Sequence, residues 1–497
     1  MFDRPTNINQ KNFLLILYVV MLGVFGPAIY WISNSESQLP FVKKVEKDLP
    51  QVRTSTGERI LVTAHTNPAK QLGIQAYAKG DYLTAETNFE TSLRSDRNDP
   101  EARIYLNNAI AAKTKAPYRI GVSVPIGGNL GVAEEILRGV AQAQTEINDS
   151  GGINGKLLVV KIANDDNDPE LAQEIAQNFV RDRELLAVVG HNGSNASIAA
   201  APIYEEAGVV MITPTSSAES LSTMGDYIFR TAPSTRALTD ILADYTVNTA
   251  GKTNIGICVD SEAKASLSFQ ENFTWAVYNY GGKVAPLNCN LAASNLNGEN
   301  IISQAISQGV DALLLAPSVR RVDKAMKVVT ANDDRLTLLG NHSLNTYTTL
   351  QQGKEAANGM VMSVAWYPQS KDNTFVESAR KLWGGGVNWR TAMAYDATTT
   401  LGQAISFGAG REALQQALAN PKFSAEGAAT DVNFLPSGDR NLKGTLIEIQ
   451  PGEKTGTGYD FVALNEQQSL TDAKSNPGIA TTSSQSLPRQ TNKLILK

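Results

Sequence analysis

Residues 185–217 read LLAVVGHNGSNASIAAAPIYEEAGVVMITPTSS. Five apolar residues, Leu185–Val189, give way to the polar loop Gly190–Ser197. An amphipathic stretch follows, and then a second apolar run, Val209–Thr213. A strand covered by helices on both faces needs no polar side, so short apolar runs alternating with amphipathic stretches predict a parallel, doubly wound sheet. Upstream the pattern extends through Ile120–Val124 and Leu157–Ile162. Downstream it restarts with Ile255–Val259, Val284–Leu287, Ala312–Leu315 and Leu336–Leu339, so two α/β lobes are expected rather than one very wide sheet. In Asp168-Pro169-Glu170, Asp is placed to cap and Pro to open a helix running to Val180. Helices over Thr391–Ile405 and about Arg411–Ala419 and a strand over Thr445–Ile449 complete the unit.

The whole chain has 497 residues, enough for about two to four domains. Its composition, 42% hydrophobic and 19% charged, is globular and excludes collagen-like, disulfide-scaffold or wholly disordered chains. A net charge of −5 lacks the basic footprint on which nucleic-acid affinity rests, so nucleic acid is set aside as a partner. His65, His191, His342, Cys258 and Cys289 show no metal-ligand spacing, and neither a metal nor another cofactor is expected. The two cysteines are either one disulfide or two buried thiols.

The N-terminal third has its own organisation. After a tail over 1–12, residues 13–32 run without a charge, and about 20 residues at 1.5 Å each span the hydrocarbon of a bilayer. The run is longer than a signal-peptide core and no small-residue cleavage site follows it, so a retained single-pass transmembrane helix is expected. Residues 33–68 read as a stalk without a clean period. Over 69–112, Leu72-Gly73, Gly80, Tyr82, Ala85, Phe89, Leu93 and Pro100 match the spacing of a tetratricopeptide-like helical segment, which is either a spacer packed on its neighbour or a docking module for a protein partner. Residues 466–497, rich in Ser, Thr, Gln and Asn, read as a disordered tail.

In open parallel sheets ligands sit outside the carboxyl ends of the strands. Here that selects Pro125–Gly131, Asn164–Asp168, Gly190–Ser197 and Thr213–Ser217 in the first lobe and Asp260–Ser266, Ala316–Arg320 and Gly340–Asn345 in the second. Of these, Gly190–Ser197 and Thr213–Ser217 are rich in hydroxyl and amide groups, lead into helices and suit a carboxylate. Taken singly, Ser194, Asn195 and Ser217 are equally explained as helix caps.

A family resemblance rests on Gly139–Asn148, Gly151–Lys156, Asp165-Asp166 with Pro169, Val189-Gly190, Tyr204–Gly208, Thr213-Pro214 and Phe229–Ala232. These stretches, in collinear order, resemble the branched-chain amino-acid and amide solute-binding proteins of ABC transporters, over about Tyr118–Gly452. The resemblance implies a type I periplasmic-binding fold over 118–465. Its two lobes, about 118–236 with 368–434 and about 237–367 with 435–465, are joined by three hinge crossings and close on a small ligand. It places the ligand carboxylate on Ser194, with Asn192 beside it, and on Thr215, Ser216 and Ser217. Where the family sets acids against the ligand ammonium, this chain carries Thr235 and His342, and Ser318 stands where the second lobe often supplies an aromatic side chain. An uncompensated ammonium is costly to bury, so another acid, Asp260 or Glu262, is required if the ligand is an amino acid.

No nucleophile elbow, phosphate loop or dinucleotide fingerprint is present, so the chain does not read as an enzyme. The expectation is a membrane-tethered, extracytoplasmic (periplasmic) solute-binding protein that captures an amino acid, amide or related carboxylate for ABC permease subunits. The alternative is a scaffold or sensor that engages a partner protein through 69–112.

Overall fold

The computed structural model describes residues 53–368, 374–428 and 430–464. The expected membrane helix at 13–32, the first part of the stalk and the tail at 466–497 lie outside them. Among the described residues no helix is long and apolar enough to cross a membrane.

The chain builds two sheets. The first holds β1 (Thr54–Ser55), β2 (Tyr118–Val124), β3 (Leu158–Asn164), β4 (Leu185–Val189), β5 (Val210–Thr213) and β6 (Ile228–Arg230), in the order β1-β3-β2-β4-β5-β6. All are parallel except β1, which pairs antiparallel with β3. The second holds β7 (Asn254–Val259), β8 (Lys283–Val284), β9 (Ala312–Ala316), β10 (Thr337–Gly340), β11 (Val361–Val364), β12 (Thr445–Pro451) and β13 (Tyr459–Ala463), in the order β13-β12-β11-β10-β9-β7-β8. There β7 to β11 are parallel, and the hairpin β12–β13 continues the sheet antiparallel. Apart from these additions both lobes repeat one order, with the first strand flanked by the second and third. The strand order therefore reverses beside β2 and beside β7, where an open α/β sheet forms its crevice.

The helices are α1 (Pro68–Ala78), α2 (Tyr82–Ser95), α3 (Pro100–Ala112), α4 (Leu130–Asp149), α5 (Pro169–Arg181), α6 (Ser194–Glu206), α7 (Thr235–Asp244), α8 (Lys264–Asn279), α9 (Gly298–Ser307), α10 (Val322–Asn332), α11 (Tyr347–Gly353), α12 (Thr374–Trp383), α13 (Trp389–Phe407) and α14 (Arg411–Leu418). The chain passes between the lobes three times: after β6, between β11 and α13, and after Arg440, whose backbone still pairs with Arg230 of β6. The last crossing thus falls a few residues beyond the boundary expected at 434. On its return, α13 packs on α4 so closely that a Cβ at Gly139 would stand 2.2 Å from the Thr391 carbonyl oxygen, which explains the glycine in that motif.

Several expectations are corrected. Residues 53–67 are not a free stalk. β1 joins the first sheet through Thr54↔Ala163 and Ser55↔Ile162. Glu101 Oε1 accepts from the backbone N–H groups of Leu61 (2.6 Å) and Val62 (3.2 Å). The fully buried Lys70 ammonium lies 2.7 Å from both Asp99 Oδ2 and Glu101 Oε2. Burial works to lower this ammonium, but Glu101 and Asp99 outweigh it and raise it above its ordinary value. The segment is held by buried ions rather than by an apolar period, and so gave no periodic signal. His65 bridges Asp96 Oδ2 on one side (2.6 Å) and Glu134 Oε1 of α4 on the other (3.0 Å).

Helices α1 to α3 form over the expected helical segment. Gly73 lets α1 approach the Phe89 ring of α2, where a Cβ would stand at 2.7 Å. Asn108 of α3 ties this layer to lobe 1, since its Nδ2 donates to Val160 O at 2.7 Å and its Oδ1 accepts from Val160 N at 2.9 Å. β6, β11 and β13 were not anticipated because each is a short apolar run inside irregular surroundings. The strand expected over Val284–Leu287 is reduced to Lys283–Val284. Of the two possibilities for the cysteines, the disulfide is the one formed, between Cys258 at the end of β7 and Cys289.

Candidate ligand-binding site

At the carboxyl ends of both sheets the lobes face each other across a cavity of about 300 Å³. Its first wall is the start of α6. The N-cap residue, Gly193, has no side chain to cap the helix, so backbone N–H groups in the first turn are available to an anion. Asn192, Ser194 and Thr215 line this wall. Thr215 Oγ1 lies 3.0 Å from both Asn192 O and Asn192 Oδ1. Asn167, at the start of the loop into α5, accepts from Asn192 Nδ2 (3.1 Å) and Gly193 N (2.9 Å).

A buried network holds this wall from behind. Asp165 Oδ2 pairs with His191 Nδ1 at 2.6 Å and accepts from Ser123 Oγ at 2.8 Å, while His191 Nε2 meets the Tyr204 hydroxyl at 3.2 Å. Burial works against ionisation of Asp165, but the bond and charge of His191, with Asn167 N and Ser123, hold its carboxyl below its ordinary value. Gly190 must be glycine, since its φ is +135° and a Cβ would lie 2.7 Å from Ser123 O. Asp165, Asp166 and Asp168 serve three separate purposes: Asp166 pairs with Arg53 at 2.7 Å, and Asp168 caps α5.

The second wall comes from lobe 2. Asp260, 2% exposed, follows β7. Its Oδ1 accepts from Glu262 N (3.1 Å) and its Oδ2 from Ser318 Oγ (2.6 Å), and among the described residues no cation lies within ion-pair distance of it. Glu262, by contrast, pairs with Arg321 at 2.8 Å. His342, 6% exposed, opens the turn after β10. Its ring meets that of Trp389 edge-on at 5.4 Å, and its Nδ1 has no hydrogen-bond partner among the described residues. Burial, with the nearby Arg390 cation, pulls His342 down to about 3, so it is a neutral imidazole.

The floor is the hinge. Asn388 Oδ1 accepts from Arg390 N at 2.9 Å and so starts α13, which brings Trp389 and Arg390 into the cavity. Burial lowers Arg390 to about 10, opposed by Glu135, so the guanidinium stays charged at neutral pH.

The lobes also touch at the rim. Asn195 Nδ2 donates to Glu262 O and Asn195 Oδ1 accepts from Lys264 N, both at 2.8 Å, and Arg320 Nη2 donates to Asp166 O. Asn195 is therefore a latch across the cleft, satisfying the first N–H of α8 in the other lobe rather than capping its own helix, α6.

Of the residues expected at the site, Asn192, Ser194, Thr215, Ser318 and His342 line the cavity. Ser216, Ser217 and Thr235 lie behind its wall. Ser216 Oγ meets Ser197 Oγ at 2.7 Å, Thr235 Oγ1 donates to Ser217 O, and all three residues are at most 1% exposed. Ser318 supports Asp260, while the aromatic surface comes from Trp389 on the hinge. Trp389 and Arg390 were not anticipated, whereas Asn167 and Arg320 fall in strand-end loops that the sequence selects, 164–168 and 316–320. The one local signal was Asn388, a capping residue directly before Trp389-Arg390.

Residues 117–445 match the sequence family described as Periplasmic binding protein. The chain belongs to that family. Within the periplasmic binding proteins, it is similar to an "Amino acid binding protein" of Pseudomonas aeruginosa, 33% identical over 145 residues. That match covers 29% of this chain and 39% of the relative, well under two thirds of its length. Among solved structures it is similar to a leucine binding protein from Thermotoga maritima, with a TM-score of 0.62 and 20% identity over 70% of this chain and 98% of that one. It also resembles a branched-chain amino acid transporter substrate binding protein from Streptococcus pneumoniae in complex with isoleucine, with a TM-score of 0.61 and 19% identity over 70% and 99%. At these identities the two structures establish the fold.

Proposed function

We propose that this periplasmic binding protein is a receptor for a small amino acid, held between the lobes and handed to ABC permease subunits. The observation that carries the reading is the pairing of opposite walls. The uncapped start of α6, with Ser194 and Thr215, offers neutral donors to a carboxylate, and Asp260 offers a buried carboxylate without a counter-cation to an ammonium. Thr235 lies behind the wall and His342 is neutral, so of the two acids that the sequence offers for the ammonium, Asp260 and Glu262, the one without an ion partner, Asp260, suits the role.

A ligand touching both walls binds the closed arrangement better than an open one and so shifts the population toward closure. The names of the relatives support an amino-acid ligand. The uncharged run at 13–32 supports a membrane tether, with the lobes outside the cytoplasm. Leu72 and Leu83, 53% and 68% exposed on α1 and α2, favour a second role for the helical layer in contacting a protein partner.

Thermal unfolding of the full chain against L-amino acids, amides and short carboxylates tests the reading. A ligand at 100 times its Kd should stabilise the protein by about 2.7 kcal/mol. No shift with any amino acid, from a chain that unfolds cooperatively, would sink it.

A further inference from the structure

The charges lining the cavity are more specific than an amino-acid site requires. The other buried arginines have carboxylate partners: Arg230 pairs with Asp439 at 2.6 Å, Arg440 with Asp396, and Arg138 with Glu135 at 2.7 Å. Arg390, 2% exposed, does not. Among the described residues its guanidinium makes one hydrogen bond, from Nη1 to Asn345 O at 2.8 Å, and otherwise lies 4.6 Å from the Trp389 ring centroid. The acid that acts on it from a distance, Glu135, is already engaged by Arg138 and by the Thr391 hydroxyl. A buried guanidinium without a counter-ion is costly, and the cavity it lines is where an anion can reach it.

A second observation points the same way. His342 lines the same cavity, is nearly fully buried, and has an unpartnered Nδ1. Arg321 pairs with Glu262, and Arg320, whose Nη2 donates to Asp166 O, is exposed to solvent. Two buried charges without an ion partner among the described residues therefore remain in the cavity, Asp260 and Arg390. An amino acid with an uncharged side chain offers its ammonium to Asp260 and its α-carboxylate to the neutral donors of α6, which leaves Arg390 uncompensated.

Resting on the amino-acid reading of the cleft, we propose that the ligand carries a second acidic group, bound by Arg390 and hydrogen-bonded by His342, so that the solute is an acidic amino acid. The three ligand groups then meet three distinct parts of the protein: the start of α6, Asp260 of lobe 2, and the hinge.

The test is calorimetric titration of the full chain with L-glutamate, L-aspartate, L-glutamine, L-leucine and glutarate at one fixed ionic strength. One of the two acidic amino acids should bind at least about tenfold tighter than L-glutamine, the uncharged isostere of glutamate, because charge-assisted bonds are roughly twice as strong as neutral ones. Arg390→Gln should bring the glutamate and glutamine affinities within about threefold of each other, whereas Arg390→Lys, which keeps the charge without the fork, should retain part of the preference. Should Arg390→Gln fail to fold, the wild-type comparison decides alone. Glutamine or leucine binding as tightly as both acidic amino acids, or a preference that survives Arg390→Gln, would overturn the second acidic group and leave the amino-acid reading standing. Glutarate matching glutamate would uphold the acidic group on Arg390 and overturn the ammonium on Asp260. Silence from every amino acid in a folded chain would sink both.

Discussion

Two of the regions in which this molecule buries charge are closed differently. Where the first helices meet lobe 1, Lys70, Asp99 and Glu101 are fully enclosed, and the ammonium has both carboxylates at 2.7 Å. In the cleft, Asp260 and Arg390 are almost as deeply buried, yet neither has an ion partner among the described residues. The first set is complete within the chain and ties residues 59–62 and α1 to α3. In the proposed function a ligand completes the second. On that proposal satisfied buried charge marks a structural seam, and unsatisfied buried charge marks a binding surface.

The largest test of that contrast is stability. Lys70→Met leaves two carboxylates buried without their cation and should cost about 3 to 5 kcal/mol in urea unfolding of the full chain. Arg390→Met removes a charge that nothing in the chain compensates and should cost less than about 1 kcal/mol, the volume being kept. Equal losses from the two would erase the distinction between the regions.

Affinity comes next. Ser194→Ala removes a hydroxyl from the carboxylate wall, so the free energy of amino-acid binding should weaken by about 1.5 to 3 kcal/mol in calorimetry. Asn195→Ala removes the two hydrogen bonds that latch Glu262 and Lys264 to lobe 1, and should weaken the same affinity by about 1 kcal/mol through the closed state alone.

The smallest expected effect is on pH. The Glu134 hydrogen bond raises His65 to about 9 against the opposing effect of burial, with Asp96 adding to the rise. A raised folded value means that the stability contributed by the His65 bridge is fully present below about pH 6.5 and is lost as pH rises from there through about 9. Unfolding measured at pH 6 and pH 9.5 should show this loss, and His65→Ala should remove it. A His65→Ala chain with an unchanged pH slope would assign the dependence elsewhere. His342 has the opposite sign: depressed to about 3, it costs stability as pH falls below about 6.5.

The sequence made the sheets legible because β4, β5 and β9 are short apolar runs covered on both faces, and such runs have few other readings. It also showed both walls of the site, since Asn192, Ser194 and Thr215 of lobe 1 and Asp260, Ser318 and His342 of lobe 2 sit in loops at the ends of strands. The floor was hidden. Trp389 and Arg390 reach the cavity only because α13 begins at the hinge after the chain has crossed between lobes, a placement that no local pattern encodes. Ser216, Ser217 and Thr235 share the composition of a binding loop, but their hydroxyls turn to the buried side of it, where Ser216 meets Ser197 and Thr235 meets the Ser217 carbonyl. The stalk was misread because its tethering depends on Lys70, Asp99 and Glu101, which are separated along the chain and carry no period.

The most direct test of the central claim is the calorimetric affinity of the full chain for its amino acid, compared between wild type and Asp260→Asn. The ammonium reading predicts one-to-one binding that the substitution weakens by at least about 1.5 kcal/mol, the lower end for a hydrogen bond to a charged group. Binding of equal strength in Asp260→Asn, or no binding of any amino acid to the folded wild type, would contradict it.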